Sequence, residues 1–312
     1  MSEKNCNSCD SDSCSAREPQ QDETEDAFLE RQALARRMCQ IGHKILILSG
    51  KGGVGKSTVA VNLAFSLANA GKRVGLLDVD IHGPSVPRLL GLGPSAIQGR
   101  EDAMRPVVYS ERLKVMSIGF LLPEPDAAVI WRGPLKMSVI KQFLKDVDWG
   151  ELDYLIIDSP PGTGDEPLSV CQLIPDADGA IIVTTPQEIA LADVRKSISF
   201  CRTVAMPILG VIENMSGFLC PKCGEVTDIF KSGGGAQMAL ELGVPFLGSI
   251  PIDASVVEAS DAGSPCVGEA GATRASAAFE CAIGPILDLD DAMEQDAASR
   301  TEANGSRGSA YA

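Results

Sequence analysis

The stretch KILILSGKGGVGKST, residues 44–58, holds two signals that together decide the fold. An apolar run, KILILS (44–49), reads as a buried strand and feeds a glycine-rich turn, which opens a helical pattern through about Asn69. The turn satisfies G-x-x-x-x-G-K-[ST] in the strand–loop–helix setting the pattern requires. Its glycines let backbone N–H groups turn inward around phosphate oxygens, and the helix N-terminus adds its dipole. The spacing predicts a nucleotide-phosphate cradle made by Gly50, Lys51, Gly52, Gly53, Val54, Gly55, Lys56, Ser57 and Thr58. Lys56 is placed to reach the β- and γ-phosphates, and Ser57 to hold Mg²⁺.

Outward from this point, short apolar runs alternate with helical patterns. KRVGLLDVD (72–80), LKVMSIG (113–119), YLIIDS (154–159), GAIIVTT (179–185), ILGVIEN (208–214) and PFLGSI (245–250) read as further strands. Helical segments fall near 134–147, 165–174, 188–205 and 233–242, while 97–106 and 120–130 are interrupted by Pro or Gly and receive no assignment. The alternation predicts an α/β fold with a doubly wound, mostly parallel sheet, as one domain over 44–285. Ligands in such sheets bind at the carboxyl ends of the strands. Three carboxylates fall there: Asp78 and Asp80 after the second strand, and Asp158 ending YLIID. A dry strand that delivers one carboxylate to a Mg²⁺ shell is the Walker B arrangement, which assigns Asp158 to the metal. The PPGTGD segment after it is suited to move with the γ-phosphate.

The 312 residues are 45% hydrophobic, enough for a substantial core. The net charge of −15 is uneven: residues 1–30 carry −7 and 286–312 carry −4, so the body is only mildly acidic. Both ends lack the apolar content to fold alone and read as disordered acidic tails, with 31–43 as a linker or helix. The absence of a basic stripe argues against nucleic acid as the main partner. No run of about 18 apolar residues suggests a membrane span. The polar, acidic start does not resemble a secretory signal, so a cytoplasmic protein is expected.

Ten cysteines in such a chain are not expected to form a disulfide framework. Cys171 and Cys201 lie at helical spacing with apolar neighbours and read as small core side chains, the default also for Cys266 and Cys281. In FLCPKCGE (218–225), Cys220 and Cys223 supply two thiolates where zinc or an iron–sulfur cluster needs four. A second pair within the chain would have to come from Cys6 and Cys9, whereas a two-fold dimer supplies it by symmetry. Spacing alone does not choose between zinc and a cluster.

The second lysine of the loop, Lys51 in GKGGVGKS, resembles the deviant Walker A loop of the MinD/ParA/nitrogenase-iron-protein class. That resemblance implies an ATP-dependent homodimer in which Lys51 reaches the nucleotide of the other subunit. It further implies that Asp80 orients or deprotonates the attacking water while Asp78 supports the loop. Asn214 would read the adenine, with Pro251 and Asp253 in a second base-flanking loop. More narrowly, DVDIHGPSVPRLLG, WRGP (131–134), DSPPGTGDE, TTPQEIALADVRK and ENMSGFLCPKCGE, in that order, resemble the Mrp/ApbC-type iron–sulfur cluster carrier ATPases. This implies a [4Fe–4S] cluster bridged by Cys220 and Cys223 of two protomers, slow ATP hydrolysis, and transfer of the cluster to apo-proteins. Cys6, Cys9 and Cys14 partly resemble the extra N-terminal cluster of the eukaryotic cytosolic branch, with shorter spacing and no fourth ligand in the run; Cys39 is the nearest candidate. A reactive tail that binds no metal is the alternative. The rival functions are a MinD/ParA-type positioning ATPase and a zinc-stapled dimeric regulatory ATPase. The first would want a basic amphipathic C-terminal helix for an anionic surface, and residues 288–312 are acidic. An electron-transfer partner like the nitrogenase iron protein would carry its cysteines in other segments.

Overall fold

The computed structural model describes residues 18–289 apart from 22, 82, 94–97, 101–102, 122–132, 175 and 269–272. Helix α1 (Glu25–Met38) leads into strand β1 (Ile41–Leu48), followed by the phosphate loop, α2 (Lys56–Asn69), β2 (Val74–Asp78) and the short α3 (Val86–Leu89). A hairpin of β3 (Gln98–Arg100) and β4 (Ala103–Arg105) occupies one of the unassigned stretches and precedes β5 (Val107–Ser110) and β6 (Leu113–Ser117). Next come α4 (Gly133–Asp146), β7 (Leu152–Asp158), α5 (Asp165–Leu173), β8 (Gly179–Thr184), α6 (Glu188–Thr203) and β9 (Ile208–Leu219). The remaining elements are β10 (Val226–Thr227), α7 (Gly234–Leu242), β11 (Phe246–Ile252), α8 (Ala254–Ala262) and a helix over residues 274–289.

The main sheet runs β10-β9-β8-β1-β7-β2-β6-β5, with β11 also paired to β9. Its central pairs are parallel, while β5 and β10 join antiparallel. Strands buried on both faces need continuous apolar runs, and Ile45, Leu46, Ile47, Leu155, Ile156 and Ile157 are each 0% exposed. Burying each such side chain contributes about 1.5–3 kcal/mol. The register aligns the strand ends: Asp158 of β7 lies opposite Ile47 of β1 on one side and Asp78 of β2 on the other. Both carboxylates therefore emerge at the edge where β1 hands over to the phosphate loop.

Three expectations shift. Helix α1 begins at Glu25, inside the segment read as tail, with Thr24 accepting from the Ala27 amide at 3.3 Å as its N-cap. Acidic residues in its first turn and basic ones in its last suit the helix dipole. Ion pairs Lys141–Glu30 and Arg37–Asp148 fasten it beside α4 and the loop after it. At the other end, the last helix runs beyond 285: Ile286 is buried, and its carbonyl accepts from the Tyr154 hydroxyl at 3.1 Å. Cys281 lies exposed on this helix rather than in the core, because Ala275, Phe279, Ala282, Ile283 and Ile286 already form the buried stripe. Cys171 and Cys201 are buried as expected, and burial pushes their thiols up to about 11 and about 12. Among the described residues, no helix is long and apolar enough to cross a membrane.

Candidate functional site

The phosphate loop folds as its glycines require. Gly55 has φ +79°, and a Cβ there would come 2.2 Å from Asn214 Nδ2, so both backbone and packing demand glycine. At Gly50 the constraint is approach alone, since a Cβ would meet the Asp193 backbone at 2.6 Å. Helix α2 starts at Lys56 without a side-chain cap, which leaves first-turn amides for a phosphate. Lys51, Lys56, Ser57, Asp80, Ser85 and Pro161 are among the residues lining a cleft of about 270 Å³ in front of this helix.

Lys56, which lines the cleft, forms an ion pair with the fully buried Asp158, with Asp80 Oδ2 at 3.9 Å from the same ammonium. The second oxygen of Asp158, Oδ2, is buried and has no hydrogen-bond partner among the described residues, as does the hydroxyl of Ser159. An orphaned buried carboxylate oxygen on Asp158 and a half-buried hydroxyl on Ser57 at the cleft are oxygen donors of the kind Mg²⁺ takes. Asp78 works differently. One of its oxygens accepts from the Asp80 amide at 3.1 Å, the other from the Ser117 hydroxyl at 2.9 Å and the Val86 amide at 3.4 Å. It thereby closes the 78–86 loop and fixes where Asp80 starts. Burial, and after it the neighbouring charge of Asp158, hold the Asp78 carboxyl well above the ordinary carboxylate range. The segment after β7 is tied to the loop by the Gly162 amide, which donates to the Ser49 carbonyl at 2.8 Å.

Asn214 is buried and its amide donates to the Val54 carbonyl at 2.9 Å, which places it against the phosphate loop. Pro251 lies in β11, and Asp253 caps α8 by accepting from the amide and hydroxyl of Ser255 at 2.9 and 2.8 Å. None of these three lines the cleft around Lys56. Lys51 does, and among the described residues its ammonium has no ion-pair partner.

Cys220 and Cys223 form a knuckle between β9 and β10. The Cys220 amide donates to the Glu225 carbonyl and the Gly224 amide to the Cys220 carbonyl, each at 2.9 Å, with Gly224 at φ +72°. Backbone N–H groups of Cys223 and then Lys222, followed by the Cys223 side chain, lower the pKa of the Cys220 thiol. A turn that aims amides at sulfur favours the thiolate a metal needs. Among the described residues, no group of three or more metal-binding side chains assembles, so the knuckle there supplies two of the four thiolates a closed site needs. Exposed Val226, Ile229 and Phe230 follow it directly in sequence. Cys6, Cys9 and Cys14 lie outside the described residues. Cys39 ends α1, a helix of 14 residues and so ~20 Å from where the preceding chain joins it.

The residue that sequence reading missed is Glu213. It is 0% exposed and accepts from the Ser216 hydroxyl at 2.6 Å, the Gly233 amide at 2.8 Å and the Gly235 amide. A charged residue inside an apolar strand, ILGVIEN, was the available signal, since buried carboxylates require partners.

Known proteins match this arrangement. An iron-sulfur cluster carrier protein of Methanocaldococcus jannaschii is 57% identical over 234 residues, covering 75% of this chain and 81% of that protein. The cytosolic Fe-S cluster assembly factor Nubp2 homolog of Anopheles gambiae is 56% identical, covering 74% and 90%. Among solved structures, a nucleotide-binding protein of Archaeoglobus fulgidus in complex with ADP superposes with a TM-score of 0.67 at 43% identity, covering 76% of this chain and 92% of that one. The cell division ATPase MinD of Pyrococcus furiosus gives 0.58 at 25% identity, covering 80% and 99%. Residues 40–286 match the family description "ParA: NUBPL iron-transfer P-loop NTPase". With this cleft, this pair of cysteines and these relatives, the chain belongs to the NUBPL-type iron-transfer P-loop NTPases.

Proposed function

We propose that this NTPase binds and hydrolyses ATP as a homodimer, holds a [4Fe–4S] cluster between protomers on Cys220 and Cys223 of each, and passes it to apo-proteins in the cytoplasm. Neither nucleic acid nor a membrane is its partner. The observation that carries this reading is the incomplete knuckle: two cysteines, one with its thiol pKa lowered, beside exposed apolar residues. A two-fold axis through such a surface completes a four-thiolate set and leaves the cargo at a boundary from which it can leave.

In the nucleotide half, Lys56 holds the β- and γ-phosphates, and Lys51 of the second copy adds positive charge to the γ-phosphate. Asp80, placed by Asp78, orients the attacking water or takes its proton. Ser57 and Asp158 would hold Mg²⁺, which supplies charge neutralisation at the β- and γ-oxygens. Asn214 reads the base edge beside the loop, with Pro251 and the backbone at Asp253 flanking it. Cys6, Cys9 and Cys14, outside the described residues, are the candidates for a second cluster, with a reactive tail that binds no metal as the alternative.

Anaerobic reconstitution of the full chain with iron and sulfide tests the cargo. The expected product is brown and carries about 4 Fe per dimer, lost in a Cys220→Ala/Cys223→Ala variant together with transfer to an apo-acceptor. A colourless protein with stoichiometric zinc, or a double variant that transfers cluster at the wild-type rate, overturns the reading.

A further inference from the structure

Strand β9 serves both halves of the site. Asn214 touches the phosphate loop through Val54, and Cys220 follows farther along the same chain direction. Between them the ladder with β11 slips: Asn214 pairs with Ile250, and the next pair is Phe218 with Ile252. Met215, Ser216 and Gly217 thus bulge opposite Pro251 alone. A proline has no N–H to give the ladder, so it is suited to face a bulge. Met215 takes φ +59° and Gly217 φ +73°, both left-handed. A methionine keeps such a backbone only where its surroundings over-determine it.

The surroundings here are Glu213. One of its oxygens accepts from the Ser216 hydroxyl inside the bulge and from the Gly233 amide, and the other accepts from the Gly235 amide at the start of α7. The approach is close enough that a Cβ on Gly235 would lie 2.9 Å from Glu213 Oε2. On the knuckle side, a Cβ on Gly217 would lie 2.9 Å from Val226 Cγ1 in β10. On the loop before Gly233, Lys231 makes an exposed ion pair with Glu188 of α6 at 2.7 Å. One buried carboxylate therefore clamps the bulge between two fixed bodies, the nucleotide-loop end of β9 and the N-terminus of α7.

We propose that Glu213, acting through Ser216, is a positioning residue that makes the 215–217 bulge a joint between the nucleotide loop and the cysteine knuckle. Nucleotide entering the loop shifts the Val54 carbonyl and Asn214, and the clamped bulge passes that shift to Cys220 and Cys223 instead of absorbing it. This rests on the nucleotide and cysteine sites proposed above, and it names the residues that couple them. Coupling of this kind is carried by an element that both sites bias.

The test uses metal-free full-length protein. Alkylation of Cys220 and Cys223 by iodoacetamide is followed by peptide mass spectrometry, with and without saturating MgADP. Wild type is expected to change its Cys220 rate by about 3-fold or more on adding nucleotide. Ser216→Ala loses most of that change while its melting temperature and ADP affinity stay near wild type, and Ser216→Thr, which keeps the hydroxyl, retains it. Met215→Gly relaxes the left-handed backbone without touching Glu213 and likewise blunts the response. The joint is refuted by a wild type that binds MgADP with no change at Cys220, or by a Ser216→Ala protein with the full wild-type response. A wild type that does not bind ADP at all overturns the nucleotide reading instead.

Discussion

Lys56 closes onto Asp158: the loop ammonium and the carboxylate that ends β7 form an ion pair, with the two residues only 6% and 0% exposed. Each group is the other's compensation for leaving water, so removing one strands a buried charge. Lys56→Ala and Asp158→Ala are therefore each expected to destabilise the nucleotide-free protein by about 3–5 kcal/mol, read by denaturant melts. In the site proposed above Lys56 offsets phosphoryl charge and Asp158 would hold the Mg²⁺ that does the same, so both variants are expected to lose ATP hydrolysis by ~100-fold or more. MgADP raises the wild-type melting temperature by linkage and does not raise that of Lys56→Ala. A Lys56→Ala protein as stable as wild type would disprove the energetic part.

Gly55 is the loop position with the least freedom. Alanine there adds a methyl group 2.2 Å from Asn214 Nδ2 on a backbone at φ +79°. The left-handed conformation costs about 1–2 kcal/mol for a non-glycine residue, and the displaced Asn214 gives up its bond to Val54 as well. Gly55→Ala is expected to lower nucleotide affinity by about tenfold or more, one tenfold step being 1.4 kcal/mol. Titration with a fluorescent ADP analogue checks this. Near-normal binding would mean that the loop relaxes around the methyl group.

The cysteines should separate by reactivity. Amides of Cys223 and Lys222 lower the Cys220 pKa, whereas burial pushes Cys266 up to about 12 and Cys201 up to about 12. A lowered pKa means more thiolate at a given pH, so alkylation of metal-free Cys220 reaches half its maximum at a lower pH than an unperturbed thiol does. Its reactivity falls only as pH drops through that lowered value. Cys266 and Cys201 stay unlabelled throughout the neutral range. A Cys220 profile centred at or above the ordinary value would show that the knuckle amides do not reach its sulfur.

How much of this was legible in the sequence depends on how local each cause is. The phosphate loop was, because its chemistry lies in consecutive residues; so was the parallel sheet, because strands buried on both faces must be continuously apolar, as Ile45–Leu48 and Leu155–Ile157 are. The start of α1 at Glu25 was not. Its first turn is acidic, and Lys141, which pairs with its Glu30, lies far away in the chain. The end of β9 was misjudged for a similar reason: the strand read from ILGVIEN stops at Asn214, yet pairing of Phe218 and Leu219 with β10 extends it to Leu219. Glu213 was invisible as a functional residue because the amides it holds, Gly233 and Gly235, return to it only once α7 has packed. Charge counts likewise said nothing of Asn214, whose partner Val54 is a backbone carbonyl on another element.

Lys51 lines the cleft yet, among the described residues, has no ion-pair partner, while Lys56 already has Asp158 and Asp80 beside it. If Lys51 serves the nucleotide of a second copy, its role and that of Asp80 fall in different chains of one composite site. Lys51→Ala and Asp80→Ala proteins are then each inactive in ATP hydrolysis, although both still bind ADP. Mixed and allowed to exchange, they form heterodimers in which one of the two sites carries neither lesion. About a quarter of the wild-type rate should return, since half the dimers are mixed and each has one intact site. Recovery of no activity on mixing, with heterodimers verified by differential tagging, would place Lys51 and Asp80 in the same site of the same chain.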